Sequence, residues 1–130
     1  MNNKPTYNIL VIDDDPTGTQ LLLTLLALEG YQGCKLENWA EPVSDLERLS
    51  PDLVLMDVRL STMDGLQLMR RIRAHPEPRI AGLPVLMMSA EDLRVQCQSA
   101  GADGFVEKPF ELDTLLGAIQ HILGGNLSNS

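Results

Sequence analysis

The sequence has few features that would direct it to a membrane, a nucleic acid or a secretory pathway. Its 130 residues contain no run of 18 apolar residues, and the start MNNKPTY lacks the charged and apolar regions of a signal peptide. Basic residues are in the minority, with 10 Lys and Arg against 18 Asp and Glu. The net charge of −8 repels phosphate backbones and anionic lipid surfaces. We therefore expect a cytoplasmic protein without direct nucleic-acid or membrane binding.

Cysteine is nearly absent, and the two cysteines are not arranged for a shared role. Cys34 and Cys97 do not form a CxxC motif, so we interpret them as ordinary thiols rather than redox or metal ligands. No internal repeat or charge run appears. With 44% apolar residues, the chain is long enough for one core. We expect one domain over residues 1–124, followed by a flexible polar tail over residues 125–130.

Short apolar runs alternate with helical patterns along the chain. Runs without polar alternation are typical of strands buried on both faces of a parallel sheet. They occupy residues 9–12, 53–56 and 85–88, with weaker strand candidates at residues 34–39 and 105–107. Helical patterns cover residues 16–29, 42–49, 65–74, 91–100 and 111–123. The repeated strand–helix order predicts an α/β fold, a doubly wound sheet with helices on both faces.

The first helical segment has clear end signals and many leucines. Asp15 followed by Pro16 is a good helix start, and Gly30 is a good stop. We therefore interpret Asp15 as the helix cap rather than as a third ligand beside Asp13 and Asp14. The face expected to pack on the sheet is formed by Leu21, Leu22, Leu25 and Leu28.

Polar residues follow four of the predicted strands. In open α/β sheets, ligands bind at the carboxyl ends of the strands. The residues at that edge would be Asp13, Asp14 and Asp15 after the first strand, Asp57 after the third, Ser89 after the fourth and Lys108 after the fifth. The convergence of four separate segments is the signal, since any one of them alone would be weak.

The adjacent carboxylates of VIDDDPTGT (residues 11–19) need a counter-charge, because neighbouring anions repel each other. Mg²⁺ prefers oxygen ligands and takes one or two carboxylates together with a phosphate oxygen. Beside such an ion, Asp57 could act as a nucleophile and form an aspartyl phosphate. Lys108 and the Ser89 hydroxyl could then hold the phosphoryl oxygens.

Five stretches of the sequence match a known pattern when they are taken together. They are ILVIDDDP (9–16), PDLVLMD (51–57), MDG (63–65), PVLMMSA (84–90) and GADGFVEKPF (101–110). In this order and spacing, the sequence resembles the receiver domain of bacterial two-component response regulators over nearly its whole length. The resemblance implies a flavodoxin-like, five-stranded parallel sheet of order 2-1-3-4-5, flanked by five helices.

The resemblance also implies a role for each polar residue at this edge. Asp57 would be the phosphoacceptor, assisted by Lys108 and Ser89. The ligands of Mg²⁺ or Mn²⁺ would be Asp13, Asp14, Asp57 and the backbone carbonyl of Arg59. Ser89 and Phe105 would be the switch residues. The Lys108–Pro109 peptide bond is expected to be cis.

Partners and a limited activity follow from the same resemblance. A histidine kinase or histidine phosphotransfer protein would donate the phosphoryl group, and the first helix would dock on it through Leu23 and Leu26. Phosphorylation would change the binding of a downstream protein target through the face formed by residues 91–123. A weak homodimer is a further expected association. Apart from its own phosphorylation and slow dephosphorylation, the protein is not expected to be an enzyme.

The loop after Asp57 departs from the family pattern. Ser61 stands where receivers commonly carry proline, which stiffens a loop through its fixed φ. The missing proline predicts a looser loop and bears on the rate of phosphorylation, while every reacting group remains. We also hypothesise that Arg59 and Glu91 form an ion pair over the entrance that slows attack of water on the phosphoryl group. The alternative is a pair of solvated charges that contributes little.

Other functions fit parts of the sequence. A phosphorylation-impaired receiver could act as a protein-interaction module. A flavodoxin-like cofactor binder is suggested by residues 17–19, Thr-Gly-Thr, although the preceding carboxylates would repel its phosphate. A phosphate-ester hydrolase would want a second acid where Arg59 stands. The final stretch GGNLSNS fits either a stand-alone receiver or one cut from a longer protein.

Overall fold

Five short segments form the strands of a single sheet in a computed structural model that describes residues 6–125. The strands are β1 (Asn8–Ile12), β2 (Gln32–Lys35), β3 (Leu53–Asp57), β4 (Val85–Ser89) and β5 (Gly104–Glu107). The helices are α1 (Pro16–Leu28), α2 (Pro42–Leu49), α3 (Gly65–Arg73), α4 (Pro78–Ala81), α5 (Arg94–Ala100) and α6 (Leu112–Gly125). Strands alternate with helical segments along the chain, which confirms the predicted α/β class.

The strands lie in the order β2-β1-β3-β4-β5, and all neighbouring strands are parallel. Every residue of β3 and β4 is buried. These strands read as continuous apolar runs because helices cover both faces of the sheet. The predicted sheet and its strand order are confirmed. The strand ends meet at one edge of the sheet, here called the carboxyl edge, which is formed by the segments that follow Ile12, Lys35, Asp57, Ser89 and Glu107.

Two apolar cores cover the two faces of the sheet. Successive strand residues point to opposite faces, so Leu10 and Met56 belong to the first core, whereas Ile9 and Leu55 belong to the second. Helices α2, α3, α4 and α5 contribute to the first core, and α1 and α6 to the second. This arrangement is the predicted double winding. Both cysteines are free thiols, as the sequence indicated.

The part of the chain between residues 6 and 125 forms six helices, not the five predicted. The additional helix, α4, is a four-residue segment and is too short to show a helical pattern in the sequence. The helix predicted over residues 91–100 begins only at Arg94. Before it, residues 91–93 belong to the loop that links β4 to α5, and the backbone N–H of Glu91 donates to the Ser89 hydroxyl oxygen (3.1 Å).

The second strand is shorter and earlier than predicted. The apolar residues of 34–39 suggested a strand there, but β2 pairs with β1 from Gln32 to Lys35. Most residues of β2 are exposed because it is an edge strand, so it lacks the apolar run of a central strand. Leu36 and Trp39 lie beyond its end and pack against the first core.

The buried face of α1 differs from the predicted face. Leu22 is buried as expected, but Leu21 and Leu28 are exposed by 58% and 76%. Leu26 is fully buried, and Leu23 packs against the second core, so these two residues do not form the predicted partner patch. The helix carries six leucines spread around its circumference, and their spacing alone did not identify the buried side.

The last helix, α6, continues to Gly125, past its predicted end at residue 123. The predicted tail over residues 125–130 lies outside the described residues except for its first glycine. The domain boundary at residue 124 therefore stays a prediction. Within the described range, no helix is both long enough and apolar enough to cross a membrane.

Gly65, the first residue of α3, packs directly on the backbone at the end of β3. A Cβ atom at this position would lie 2.5 Å from the Asp57 carbonyl oxygen and 2.9 Å from the Val58 Cα atom. The Gly65 N–H also donates to the Val58 carbonyl oxygen (2.9 Å). The glycine therefore allows the helix to begin close beside the carboxyl edge.

We predict that Gly65→Ala lowers the free energy of unfolding by about 1–3 kcal/mol, because the backbone must shift to accept the methyl group. Gly117 on α6 is the matched control, since a Cβ atom there would meet no atom within 4 Å. Gly117→Ala should raise stability by up to about 1 kcal/mol, because alanine favours the helix. Urea unfolding measures both changes, and a Gly65→Ala variant as stable as the wild type would contradict the close contact.

Candidate functional site

A buried turn follows β1 and begins the carboxyl edge. Asp13 is buried, its Oδ1 atom accepts from the Asp15 N–H (3.0 Å), and its carbonyl accepts from the Thr19 hydroxyl (2.9 Å). Asp15 accepts from the Thr17 N–H (3.3 Å), which confirms its predicted role as the helix cap. These contacts hold the first carboxylate in place. Thr19 was missed in the sequence, because a threonine inside a helix gives no signal of such a contact.

The second carboxylate of the turn points toward the loop after β3. Asp14 is exposed, and its Oδ2 atom accepts a hydrogen bond from the Ser61 backbone N–H. Hydrogen bonds from the Ser61 side chain and backbone lower the pKa of Asp14, because they stabilise its charged form. Asp14 is therefore an ionised carboxylate at the rim of the site, with one oxygen engaged by Ser61.

Asp57 and Lys108 form the central contact of the site. The Lys108 Nζ atom lies 2.9 Å from Asp57 Oδ2 and 3.6 Å from Asp13 Oδ2. Burial raises the pKa of Asp57, against the opposing effect of the Lys108 hydrogen bond. Burial lowers the pKa of Lys108, but the hydrogen bond and the nearby negative charges outweigh this effect and raise it overall. The lysine therefore remains a cation between two carboxylates.

Ser89 lies at the end of β4 and is fully buried. Its hydroxyl oxygen accepts from the Glu91 N–H (3.1 Å), and its carbonyl accepts from the Lys108 N–H (2.7 Å). The second bond ties the end of β4 to the residue after β5. The serine and the lysine are thus placed next to each other by the parallel pairing of the two strands.

The loop after β3 makes contacts on two sides. Within the loop, Arg59 and Asp64 form an antiparallel bridge. The Arg59 Nε atom lies 2.6 Å from Glu91 Oε1, and both side chains are exposed. The predicted ion pair between these residues is confirmed as a contact. It lowers the pKa of Glu91 through the hydrogen bond and the charge of Arg59.

Phe105 on β5 faces the first core and is only 7% exposed, so its ring lies in the inward position. The Arg94 guanidinium lies over this ring at 5.2 Å from its centroid, and it donates to the Phe105 carbonyl oxygen at 3.4 Å. Cation–π contacts of this kind are favourable when the charge lies over the face of a ring. Nothing in the sequence singled out Arg94, because the contact joins residues on different elements.

The site therefore gathers most of the predicted residues. Asp13, Asp57, Ser89 and Lys108 are linked by direct contacts at the carboxyl edge. Asp14 and Arg59 lie at its rim, on neighbouring loops. Phe105 lies behind the edge, against the first core. The Lys108–Pro109 peptide bond is cis, as expected.

The oxygen donors at this edge fit a hard divalent cation such as Mg²⁺. In residues 6–125, no three acidic, histidine or cysteine side chains are arranged as a closed metal site. Asp57 is engaged by Lys108, and Asp14 by Ser61. A closed cage is not required, because Mg²⁺ keeps several waters and takes one or two carboxylates plus a phosphate oxygen. The donor chemistry is suitable, although the carboxylates must rearrange.

Two cavities flank the site. One, of 470 Å³, lies beside the acidic turn and is lined in part by Asp14, Trp39 and Ser61. The other, of 460 Å³, lies on the far side of Lys108 and is mainly apolar, with Leu21 among its lining residues. The edge is thus open to solvent and to a partner on both sides of the lysine.

A family model for the response regulator receiver domain matches residues 9–120 of the sequence. The chain belongs to this family. As a receiver domain it acts in two-component signal transduction, and the role of phosphoacceptor fits it. The resemblance, the fold and the general function predicted from the sequence are confirmed, and the flavodoxin-like cofactor binder has no support from the family match.

Individual relatives contain a matching segment in proteins of different length. The chain is 32% identical over 120 residues to the sensory transduction protein BceR of Halalkalibacterium halodurans, covering 90% of this chain and 50% of that protein. It is equally similar to the protein PilH of Pseudomonas aeruginosa, with 32% identity covering 90% of this chain and 98% of that protein. The receiver spans about half the length of the first curated relatives that it matches.

A solved structure is similar in fold. The receiver domain of the sensor histidine kinase PA1611 from Pseudomonas aeruginosa PAO1 has a TM-score of 0.80 and 28% identity. The match covers 92% of this chain and 99% of that one. That protein was crystallised with a magnesium ion coordinated in its active-site cleft. The fold of the present receiver is therefore one in which a cation can be held at the corresponding place.

Proposed function

We propose that this receiver accepts a phosphoryl group on Asp57 from a phosphohistidine of a histidine kinase or histidine phosphotransfer protein. The observation that carries the proposal is the contact of 2.9 Å between Asp57 and Lys108, beside the buried Asp13. It places a carboxylate and a cation at the edge of the sheet where α/β proteins bind ligands. The turnover of other substrates is not part of this function.

The transfer needs few groups. An oxygen of the Asp57 carboxylate attacks phosphorus while the P–N bond of the phosphohistidine breaks, and the electron pair of that bond returns to the imidazole. The new P–O bond makes an aspartyl phosphate. Lys108, already in contact with the carboxylate, moves its charge onto a phosphoryl oxygen. Positioning and neutralisation of charge account for most of the catalysis in reactions of this type.

A divalent cation completes the charge balance. The residues that would hold Mg²⁺, or Mn²⁺, are Asp13, Asp14, Asp57 and the backbone carbonyl of Arg59. When bound, the cation supplies positive charge to the phosphoryl oxygens and orients them. The support for this assignment is the oxygen-rich edge described above.

Ser89 would transmit phosphorylation of Asp57 to the rest of the protein. Its hydroxyl would donate to a phosphoryl oxygen and give up the hydrogen bond that it accepts from Glu91. Because Glu91 opens the loop before α5, the face formed by residues 91–123 would change its contacts with a downstream protein or with a second copy. Phe105 is already inward, so the change would begin in this loop rather than at the ring.

The phosphodonor would dock on the exposed side of α1. Leu21 is exposed and lines the apolar cavity beside Lys108, together with Leu25, Phe110 and Leu112. A helical bundle placed there would bring its phosphohistidine toward the lysine and Asp57. This surface replaces the patch that was predicted at residues 23 and 26. We place the protein in the cytoplasm, where a kinase of this kind presents its phosphohistidine, and assign it no direct contact with nucleic acid or membrane.

A phosphorylation-impaired receiver is the second candidate. It is favoured by the engagement of Asp14 with Ser61, which occupies a carboxylate that the cation would need. Such a protein would bind its partners without a covalent signal. The two candidates differ in whether Asp57 can be modified.

The first test is phosphorylation by acetyl phosphate, followed by intact-mass spectrometry. We expect one added phosphoryl group in the presence of Mg²⁺ and none after chelation. Asp57→Asn should abolish the addition, because the nucleophile is lost. Asp113→Asn, on the first turn of α6, should leave it unchanged. No addition to the wild type under any condition would favour the phosphorylation-impaired receiver.

The docking surface predicts a difference between two phosphodonors. Replacing Leu21 and Leu25 together by Gln should slow transfer from a histidine phosphotransfer protein by about tenfold or more, because apolar burial is lost from the interface. Phosphorylation by acetyl phosphate should not change. Val95→Gln, on the exposed side of α5, serves as the control. Equal slowing with both donors would mean that the leucines act on the site itself and not on docking.

The Arg59–Glu91 pair predicts a change in the lifetime of the phosphorylated form. Arg59→Ala should shorten this lifetime by up to about fivefold, since fully exposed ion pairs contribute little. Arg71→Ala is the control, because Arg71, in the last turn of α3, makes a similar exposed pair with Glu41 at 3.0 Å and contacts no residue of the carboxyl edge in that pair. Loss of label after removal of the phosphodonor gives the lifetime. An unchanged value in Arg59→Ala would rule out the pair as a barrier to water.

A further inference from the structure

Ser61 brings a hydrogen-bond donor to a place where the family pattern has none. It lies four residues after Asp57, where receivers commonly carry proline, and a proline nitrogen bears no hydrogen. In this chain the Ser61 N–H donates to Asp14 Oδ2. The substitution therefore does more than remove a stiff residue from the loop, because it gives the loop a contact with a carboxylate of the acidic turn.

The contact is supported by the way the loop is anchored. Its two ends are joined by the bond from the Gly65 N–H to the Val58 carbonyl and by the bridge between Arg59 and Asp64. Its outer side is held by the ion pair between Arg59 and Glu91. Ser61 lies between these anchors, so its amide faces Asp14 from a braced loop.

We propose that Ser61 is a positioning residue that weakens the affinity of the acidic turn for Mg²⁺, because it competes with the cation for the Asp14 carboxylate. The inference rests on the proposed function, in which Asp14 is a metal ligand. Oδ2 is engaged by the loop, so a cation must displace the loop or share this carboxylate with it. Loading of the metal is thereby coupled to the position of the loop after β3.

The competition lowers the affinity without abolishing it. Asp13 and Asp57 keep their negative charges near the turn, and the Asp14 contact is exposed, so water can replace the lost hydrogen bond. Removing one hydrogen bond of this kind should tighten Mg²⁺ binding by about three- to tenfold. Proline at position 61 removes both the N–H and the hydroxyl, whereas alanine removes only the hydroxyl.

The chain contains its own reporter for this experiment. Trp39 is the only tryptophan, and it lines the same cavity of 470 Å³ as Asp14 and Ser61. Its fluorescence should therefore respond when the cation binds or the loop moves. The Ser61 amide resonance in ¹H–¹⁵N spectra is a second readout that needs no substitution.

The experiment is a titration of MgCl₂ into the wild type, Ser61→Ala and Ser61→Pro, without any phosphodonor. We expect the order of affinity to be wild type, then Ser61→Ala, then Ser61→Pro as the tightest, with the last about three- to tenfold above the first. In the wild type, the Ser61 amide proton should start downfield and move upfield as Mg²⁺ saturates. Thermal unfolding of each variant establishes that it is folded before the affinities are compared.

The outcomes separate this inference from the proposed function. If wild type binds Mg²⁺ and is phosphorylated in its presence, but both variants bind within twofold of it, the competition is wrong and the function stands. A Ser61 amide that does not respond to saturating Mg²⁺ overturns the inference in the same way, even if Ser61→Pro fails to fold. If the wild type shows no response to Mg²⁺ in either readout, two claims are wrong. They are the assignment of the metal ligands in the proposed function and the competition between Ser61 and Mg²⁺ for Asp14.

Discussion

The contact between Lys108 Nζ and Asp57 Oδ2, at 2.9 Å, is the interaction on which the carboxyl edge depends. It joins the ends of β3 and β5, which are separated in the sheet by β4. Both groups are partly buried, and a buried charge that loses its partner is strongly destabilising. The same ammonium group lies 3.6 Å from Asp13 and offsets the repulsion between the two carboxylates. One cation thus allows the Asp57 carboxylate and the acidic turn to remain side by side.

The fold and the residues of this edge could be predicted because both follow from burial. Strands covered on both faces must be apolar throughout, so β1, β3 and β4 were visible as uninterrupted runs. A polar residue directly after such a run can only lie at the end of the strand. Asp57 was found in this way, whereas Lys108 follows only the weaker strand candidate at residues 105–107. The parallel pairing of the strands then brings the two side chains into contact.

Other features could not be predicted because no single stretch of sequence contains their cause. The six leucines of α1 would suit several faces, and only packing against the sheet buries Leu22 and Leu26. The edge strand β2 pairs with only one strand, β1. Most of its residues are therefore exposed, and its sequence shows no apolar run. The contact of the Arg94 guanidinium with the Phe105 ring joins two different elements, α5 and β5.

Glu91 is held twice, and this has a consequence for timing. Its N–H donates to the Ser89 hydroxyl oxygen (3.1 Å), and its carboxylate accepts from Arg59 (2.6 Å). Under the proposed function, a Ser89 hydroxyl that turned toward a phosphoryl group on Asp57 would free the backbone N–H of Glu91, the residue whose carboxylate pairs with Arg59. The lifetime of the aspartyl phosphate and the response of the loop to it would then both depend on Glu91. A substitution of Glu91 that lengthened the lifetime of the phosphorylated form would then also alter how the loop before α5 responds to phosphorylation.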